Sequence, residues 1–307
     1  MSELSPTQVV IEHLKSLALE MSRPGIDVAM RREIIDRYFA LAPDVMAQTI
    51  KPKPVMVGNC KAYWFVPNGH DGNRRMLYIH GGSWMSGSVK GWGAFVARIA
   101  QASNCALLFI EYSLMPEHPF PAGLNDCLHA FDWLQTHGPE NNNQPHKVFL
   151  AGDSAGGNLA LACLLALKES NKKMPEAALA ISPCTDFSGS GESMQTRAHQ
   201  DPIIRPEAIA LLPTVYLQNG EDLKNPLASP LFGDLSGLPP IMLQTGEAEV
   251  LLDDSVRFAK KAQQAGVEVI LDTWPGMPHV FQGFAPLLPE ANSALRRIAE
   301  FFESAGQ

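Results

Sequence analysis

The sequence predicts an α/β fold with a mostly parallel central sheet and helices on both faces. Two observations carry this reading. From about Val55 onward, apolar runs of strand length alternate with longer helical patterns, the order that gives parallel strands joined by crossover helices. Within that alternation, Gly152-Asp153-Ser154-Ala155-Gly156 lies between the apolar run Lys147–Ala151 and the helix-forming stretch after Gly157, so a tight strand-to-helix turn falls there. At 307 residues the chain is long enough for one large or two small domains.

Taken in order, the first fifty residues read as two helices. Val9, Val10, Leu14, Leu17, Ala18 and Met21 recur at helical spacing, as do Met30, Ile34, Ile35, Tyr38 and Phe39. Pro24-Gly25 separates the two, and Pro43 and Lys51-Pro52-Lys53-Pro54 end the helical region. Strands are expected over residues 55–60, 61–66, 75–79, 106–112, 147–151, 177–182, 241–245 and 267–274. Helices are expected over 95–102, 125–137, 157–168 and 253–265. The first strands have no helix between them, which predicts an antiparallel start. Residues 187–222 break the alternation: Pro202, Pro206 and Pro213 punctuate them, and a helical pattern runs from Pro206 to Leu217. They read as an insertion between core strands. Asn141-Asn142-Asn143 reads as a short polar loop.

Composition narrows the function classes. Hydrophobic residues make up 46% and charged residues 18%, the balance of a folded soluble chain and not of a disordered one. A net charge of −8 disfavours a nucleic-acid partner. No apolar run reaches the length of a membrane span. The first residues lack a basic segment followed by an apolar one, so a cytoplasmic location is the default expectation. The cysteines (Cys60, Cys105, Cys127, Cys163 and Cys184) are odd in number and scattered, which suggests reduced thiols and not disulfides. No histidine pattern of metal-ligand spacing occurs, so no metal is expected.

The chemistry concentrates at Ser154. A serine between a strand and a helix, flanked by Gly152 and Gly156, has the sequence form of a nucleophile elbow. The glycines leave room for the chain to reverse, and the hydroxyl stands at the positive end of the following helix. A glycine-rich turn with an incidental serine is the bland alternative. Upstream, His80-Gly81-Gly82-Ser83-Trp84 follows the strand over 75–79. Its backbone amides can face a developing negative charge, although a loop with flexible glycines would look the same. His279 follows the last strand and so falls at the same sheet edge as Ser154, where open α/β sheets gather ligand sites.

Together these segments resemble the hormone-sensitive-lipase-like branch (bacterial family IV) of the α/β-hydrolase superfamily. Three further stretches share the likeness: Pro116-Glu117-His118-Pro119-Phe120-Pro121-Ala122, Ser182-Pro183-Cys184-Thr185-Asp186, and Gly276-Met277-Pro278-His279-Val280-Phe281. The match spans roughly residues 55 to 300, with motifs in family order. Three departures stand out. Ser83 takes the place of a third glycine, Ser113 follows Tyr112 where arginine is common, and a glutamate stands where the family has its catalytic aspartate.

The resemblance implies an α/β-hydrolase fold with a helical cap made of residues 1–50 and 187–222 over a core of residues 51–186 and 223–307. It implies Ser154 as nucleophile and His279 as base, with His118 and His80 as rivals by residue type; His80 more naturally braces the loop. Aligning Leu251 and Asp253 with the family's D-P-L-x-D segment makes Glu249 the acid, with Glu247 as a minor rival and Asp253 and Asp254 favouring a helix start. The amides of Gly81, Gly82 and Ala155 would form the oxyanion hole. Trp84 could line the acyl pocket or belong to the core. The implied activity is a serine carboxylesterase for short- to medium-chain esters, working through an acyl-enzyme. A lactone hydrolase with the same triad, or a non-catalytic small-molecule receptor of this fold, is the alternative. No cofactor is implied. The partner is a small apolar ester; a homodimer is left open.

Overall fold

The computed structural model describes residues 4–42, 49–140 and 144–305, with backbone alone at Asn219. Pro43 and the polar loop at 141–143 lie outside the described residues. Two helices come first. Helix α1, Pro6–Met21, starts on a capping box in which Ser5 and Gln8 satisfy each other's amides, and it buries Val10, Leu14 and Leu17 at three- and four-residue spacing. Helix α2, Val28–Ile35, is capped by Asp27, whose carboxylate accepts from the Met30 amide at 2.8 Å. The sequence pattern carries this helix on to Phe39, but it ends at Ile35. Tyr38 and Phe39 follow in turns and are buried against Phe284, Phe95 and Trp92.

The sheet has eight strands: β1 Lys53–Val57, β2 Cys60–Phe65, β3 Arg74–Ile79, β4 Ala106–Glu111, β5 Lys147–Asp153, β6 Ala178–Ile181, β7 Ile241–Gly246 and β8 Val269–Trp274. Their order is β1-β2-β4-β3-β5-β6-β7-β8. β2 is antiparallel to β1 and to β4, and the strands from β4 onward across the sheet run parallel. The first hairpin differs from the expected strand limits. Gly58 and Asn59 form a turn, with Gly58 at φ +57, so that Val57 pairs with Cys60. Only a residue without a Cβ enters that region at little cost.

Helices α3 Val89–Ser103, α4 Ala122–Leu134, α5 Ala155–Glu169, α8 Leu252–Gln264 and α9 Pro289–Ser304 cover the sheet; α6 Ser193–Thr196 and α7 Pro206–Tyr216 belong to the 187–222 segment. The strands split their side chains by period two. In β3, Leu77 and Ile79 join the core under α4, α5 and α8, while Met76 and Tyr78 join the core under α3 and α9. Helix α3 begins six residues before the sequence suggested, since Gly91 and Gly93 depress its local propensity. Packing explains the glycine: a Cβ at Gly91 would press on the Asp36 backbone, so the N-terminal segment lies directly against α3. No helix among the described residues is long and apolar enough to cross a membrane.

Candidate active site at the carboxyl ends of the strands

β5 ends at Asp153 and α5 begins at Ala155, leaving Ser154 between them at φ 52, ψ −119. A side chain is strained in that conformation, and neighbouring structure has to hold it. The Ser154 amide donates to Ile181 O at 2.7 Å, and Ser154 O accepts from the Asn158 amide at 3.0 Å. A Cβ at Gly152 would strike Gly156 O, and one at Gly156 would strike Ile79 O. Both glycines are therefore demanded by the close approach of β3, β5 and α5.

His279 comes from the loop after β8 and Glu249 from the loop after β7. They meet at 2.7 Å, His279 Nδ1 donating to Glu249 Oε2, with the two side chains almost fully buried. That bond leaves Nε2 as the free nitrogen of the ring, and His279 lines the same cavity as Ser154. No hydrogen bond joins the Ser154 hydroxyl to His279 at rest; such contacts commonly tighten only once substrate is bound. Burial pushes the His279 pKa down, but the charge and hydrogen bond of Glu249, helped by Asp201 and Asp153, outweigh it and raise the pKa above the ordinary 6.5.

The other oxygen of Glu249 is fully engaged. Oε1 accepts from Ser182 Oγ at 2.7 Å, Thr245 Oγ1 at 3.1 Å and the Gly246 amide. Ser182 also accepts from the Val280 amide at 3.3 Å and so ties the acid to the histidine loop. Tyr38 OH donates to His279 O at 2.6 Å, reaching it from the N-terminal segment. Asp201 does the same from the 187–222 segment: its carboxylate accepts from the Val250 amide at 3.0 Å, next to Glu249.

The rivals fall elsewhere. His118 is exposed. His80 is buried; burial drives its pKa down to about 4, and its Nδ1 donates to Gly81 O at 2.7 Å. It stacks on Tyr112, whose hydroxyl donates to His80 O at 3.0 Å, so His80 braces the loop. Asp253 and Asp254 do stand in the first turn of α8, but favouring that helix start is not their main contact. Asp253 Oδ2 accepts from the Ser193 amide at 2.9 Å, and buried Asp254 accepts from the amides of Thr185 and Asp186.

The oxyanion-loop candidates lie beside the elbow. Gly82 and Ser83 line the cavity with Ser154, and Gly81 packs so closely that a Cβ there would press on the Asp153 carboxylate and on the Ser154 side chain. Ala155 opens α5, so its amide has no acceptor within the helix.

The cavity holds about 320 Å³ and is walled by Tyr38, Phe39, Trp84, Trp92, Ile209 and Leu212 among others. Trp84 serves both of the roles open to it: it lines the cavity, stacks on Tyr216 and packs at a tilt against Phe187. Sequence reasoning missed Asp153, Tyr38, Ser182 and Asp201. Asp153 accepts from Tyr78 OH at 2.8 Å and Trp92 Nε1 at 3.0 Å, and burial raises its pKa to about 6. A carboxylate ending an apolar strand was the available signal for it; the contacts of Tyr38 and Asp201 span far too much sequence to show a pattern.

A family model described as an alpha/beta hydrolase fold matches residues 76–283. An acetyl-hydrolase of Streptomyces hygroscopicus is 39% identical over 251 residues, covering 82% of each chain. An esterase of Acinetobacter venetianus is 33% identical, covering 89% of this chain and 88% of its own. The crystal structure of an esterase from the bacterial hormone-sensitive lipase family superposes with a TM-score of 0.91 at 35% identity, covering 99% of both chains. The chain belongs to the α/β-hydrolase-fold family, among its hormone-sensitive-lipase-like carboxylesterases.

Proposed function

We propose that this carboxylesterase hydrolyses short- to medium-chain esters through an acyl-enzyme on Ser154. The observation that carries it is the 2.7 Å bond from His279 Nδ1 to Glu249 Oε2 in a loop facing the Ser154 cavity. With Nδ1–H committed to the carboxylate, Nε2 is free to take the Ser154 proton as the hydroxyl attacks the ester carbonyl. The charge that develops on the carbonyl oxygen is met by the amides of Gly81, Gly82 and Ala155. His279 then gives its proton to the departing alcohol; next it takes a proton from the water that attacks the acyl carbonyl, and returns that proton to the Ser154 oxygen as the acyl–Ser154 bond breaks and the acid is released. Glu249 keeps the imidazole in one tautomer and stabilises its charged form.

Residues 1–50 and 187–222 act as the cap over the core formed by residues 51–186 and 223–307. Met21, Ile35, Tyr38 and Phe39 from the first segment and Ile203, Ile209 and Val215 from the second share one cavity with Ser154. At about 320 Å³ it lies at the small end of the roughly 300–1,000 Å³ of small-molecule sites, which favours short acyl chains.

Two measurements test the reading. A fluorophosphonate probe should label Ser154, and Ser154→Ala should lower kcat by several thousand-fold or more, on the order known for removal of a serine nucleophile. A panel of p-nitrophenyl esters should show kcat/KM falling from butyryl to palmitoyl, and lactones in the same panel decide the alternative substrate class. Full activity in Ser154→Ala, or a steady rise toward palmitoyl, would overturn the corresponding part.

A further inference from the structure

We propose that the substrate is an ester bearing a carboxylate remote from the scissile bond, held by Arg31 and Arg205 at the solvent side of the Ser154 cavity. The inference rests on the esterase reading above. Arg31 comes from α2 and Arg205 immediately precedes α7, so each cap segment contributes one arginine to the same cavity. Arg31 is half-buried and Arg205 exposed.

Among the described residues, neither guanidinium pairs with a carboxylate. Arg32 and Arg37, close by in sequence, pair with Glu117 and Glu20 at 2.7 Å each. Arg31 meets only Met21 Sδ, at 3.8 Å, and among the described residues neither Arg31 nor Arg205 forms an ion pair. Among the described residues the single carboxylate lining the cavity is Asp153, which is buried and already accepts from Tyr78 and Trp92. The remaining wall is overwhelmingly aliphatic and aromatic.

Two cations without an ion-pair partner among the described residues, beside an apolar wall, make a local positive field in a chain whose net charge is −8. An all-alkyl ester makes no use of them. A substrate whose far end is a carboxylate does, since a guanidinium offers paired donors in the geometry that a carboxylate accepts. The apolar wall between Ser154 and the arginines takes the connecting methylenes or ring.

Matched esters test this by pH-stat hydrolysis: monoethyl adipate against ethyl hexanoate for an anion on the acyl arm, and para-acetoxybenzoate against para-tolyl acetate for one on the alcohol arm. The readout is the ratio of kcat/KM, anionic over neutral. In wild type the ratio should favour the anion in one of the pairs. It should fall roughly tenfold in the double variant Arg31→Gln/Arg205→Gln, mostly through KM, and shrink as salt is raised. The Arg31→Lys/Arg205→Lys variant should keep part of the preference. Preference for the neutral ester in both pairs, or a ratio unmoved in the double Gln variant, overturns the proposal alone. Failure to hydrolyse any of the four beyond the Ser154→Ala level overturns the esterase reading and this proposal with it.

Discussion

Glu249 accepts from three donors on Oε1 and from His279 on Oε2, so its position is fixed from every side. Replacing it with Gln removes the partner of the imidazolium and the control of the tautomer, and should lower kcat by about a thousand-fold or more. Glu249→Asp should keep measurable activity, and Asp253→Asn should cost little in kcat, since its carboxylate serves Ser193. An active Glu249→Gln beside a dead Asp253→Asn would move the acid to Asp253. The pH profile reports on the same group. His279 acts as a base only when neutral and its pKa is raised, so the rising limb of kcat/KM should lie above pH 6.5. Asp201 is one of the charges that raise it, and Asp201→Asn should move the limb to lower pH. A limb that stays in place would show that Asp201 does not act on His279.

Between elements, short polar contacts lock the loops that carry the site. Asp254, at the start of α8, accepts from the amides of Thr185 and Asp186 just after β6. Burial, with Asp186 adding to it against the hydrogen bonds, pushes its pKa up to about 7. A carboxyl whose folded pKa lies above its unfolded value stabilises fully below the unfolded value, and that contribution is lost as pH rises through about 7. Wild type should therefore lose stability between acidic and neutral pH, and Asp254→Asn, neutral throughout, should lose less, as urea midpoints at the two pH values would show. Asp254→Ala leaves two buried amides without an acceptor and should cost on the order of 2 kcal/mol or more. Equal pH dependence in wild type and Asp254→Asn would remove the ionisation argument.

Across the whole molecule, the cavity is lined jointly by two segments far apart in sequence and by the sheet edge that carries Ser154. The N-terminal segment buries Val10, Leu14 and Leu17 and sends the Tyr38 hydroxyl to the His279 carbonyl. Deleting residues 1–45 should expose that apolar surface, release the His279 loop and lower both kcat/KM and the melting temperature. Dye binding to exposed apolar surface together with ester turnover would check it. A truncated chain with unchanged kinetics and stability would exclude the segment from the cap.

The strand order, the helices between the strands, the antiparallel start, the Ser154 turn and the pairing of a late histidine with an acid after β7 were legible in the sequence, whereas the C-terminal helix α9 was not among the helices read from it. Each depends on periodicity or on residues adjacent in the chain, and the family likeness supplied the register that chose Glu249. Tertiary structure alone decided the rest. It ended α2 before Tyr38 so that its ring could turn inward, began α3 before Gly91, which packs against Asp36, and turned Asp254 from a helix-start charge into a staple for the 185–186 backbone. In each case a contact between distant segments outweighs a local preference of a kcal/mol or so, about the size of a helix-propensity or capping effect. Such contacts leave no periodic trace in the chain that makes them.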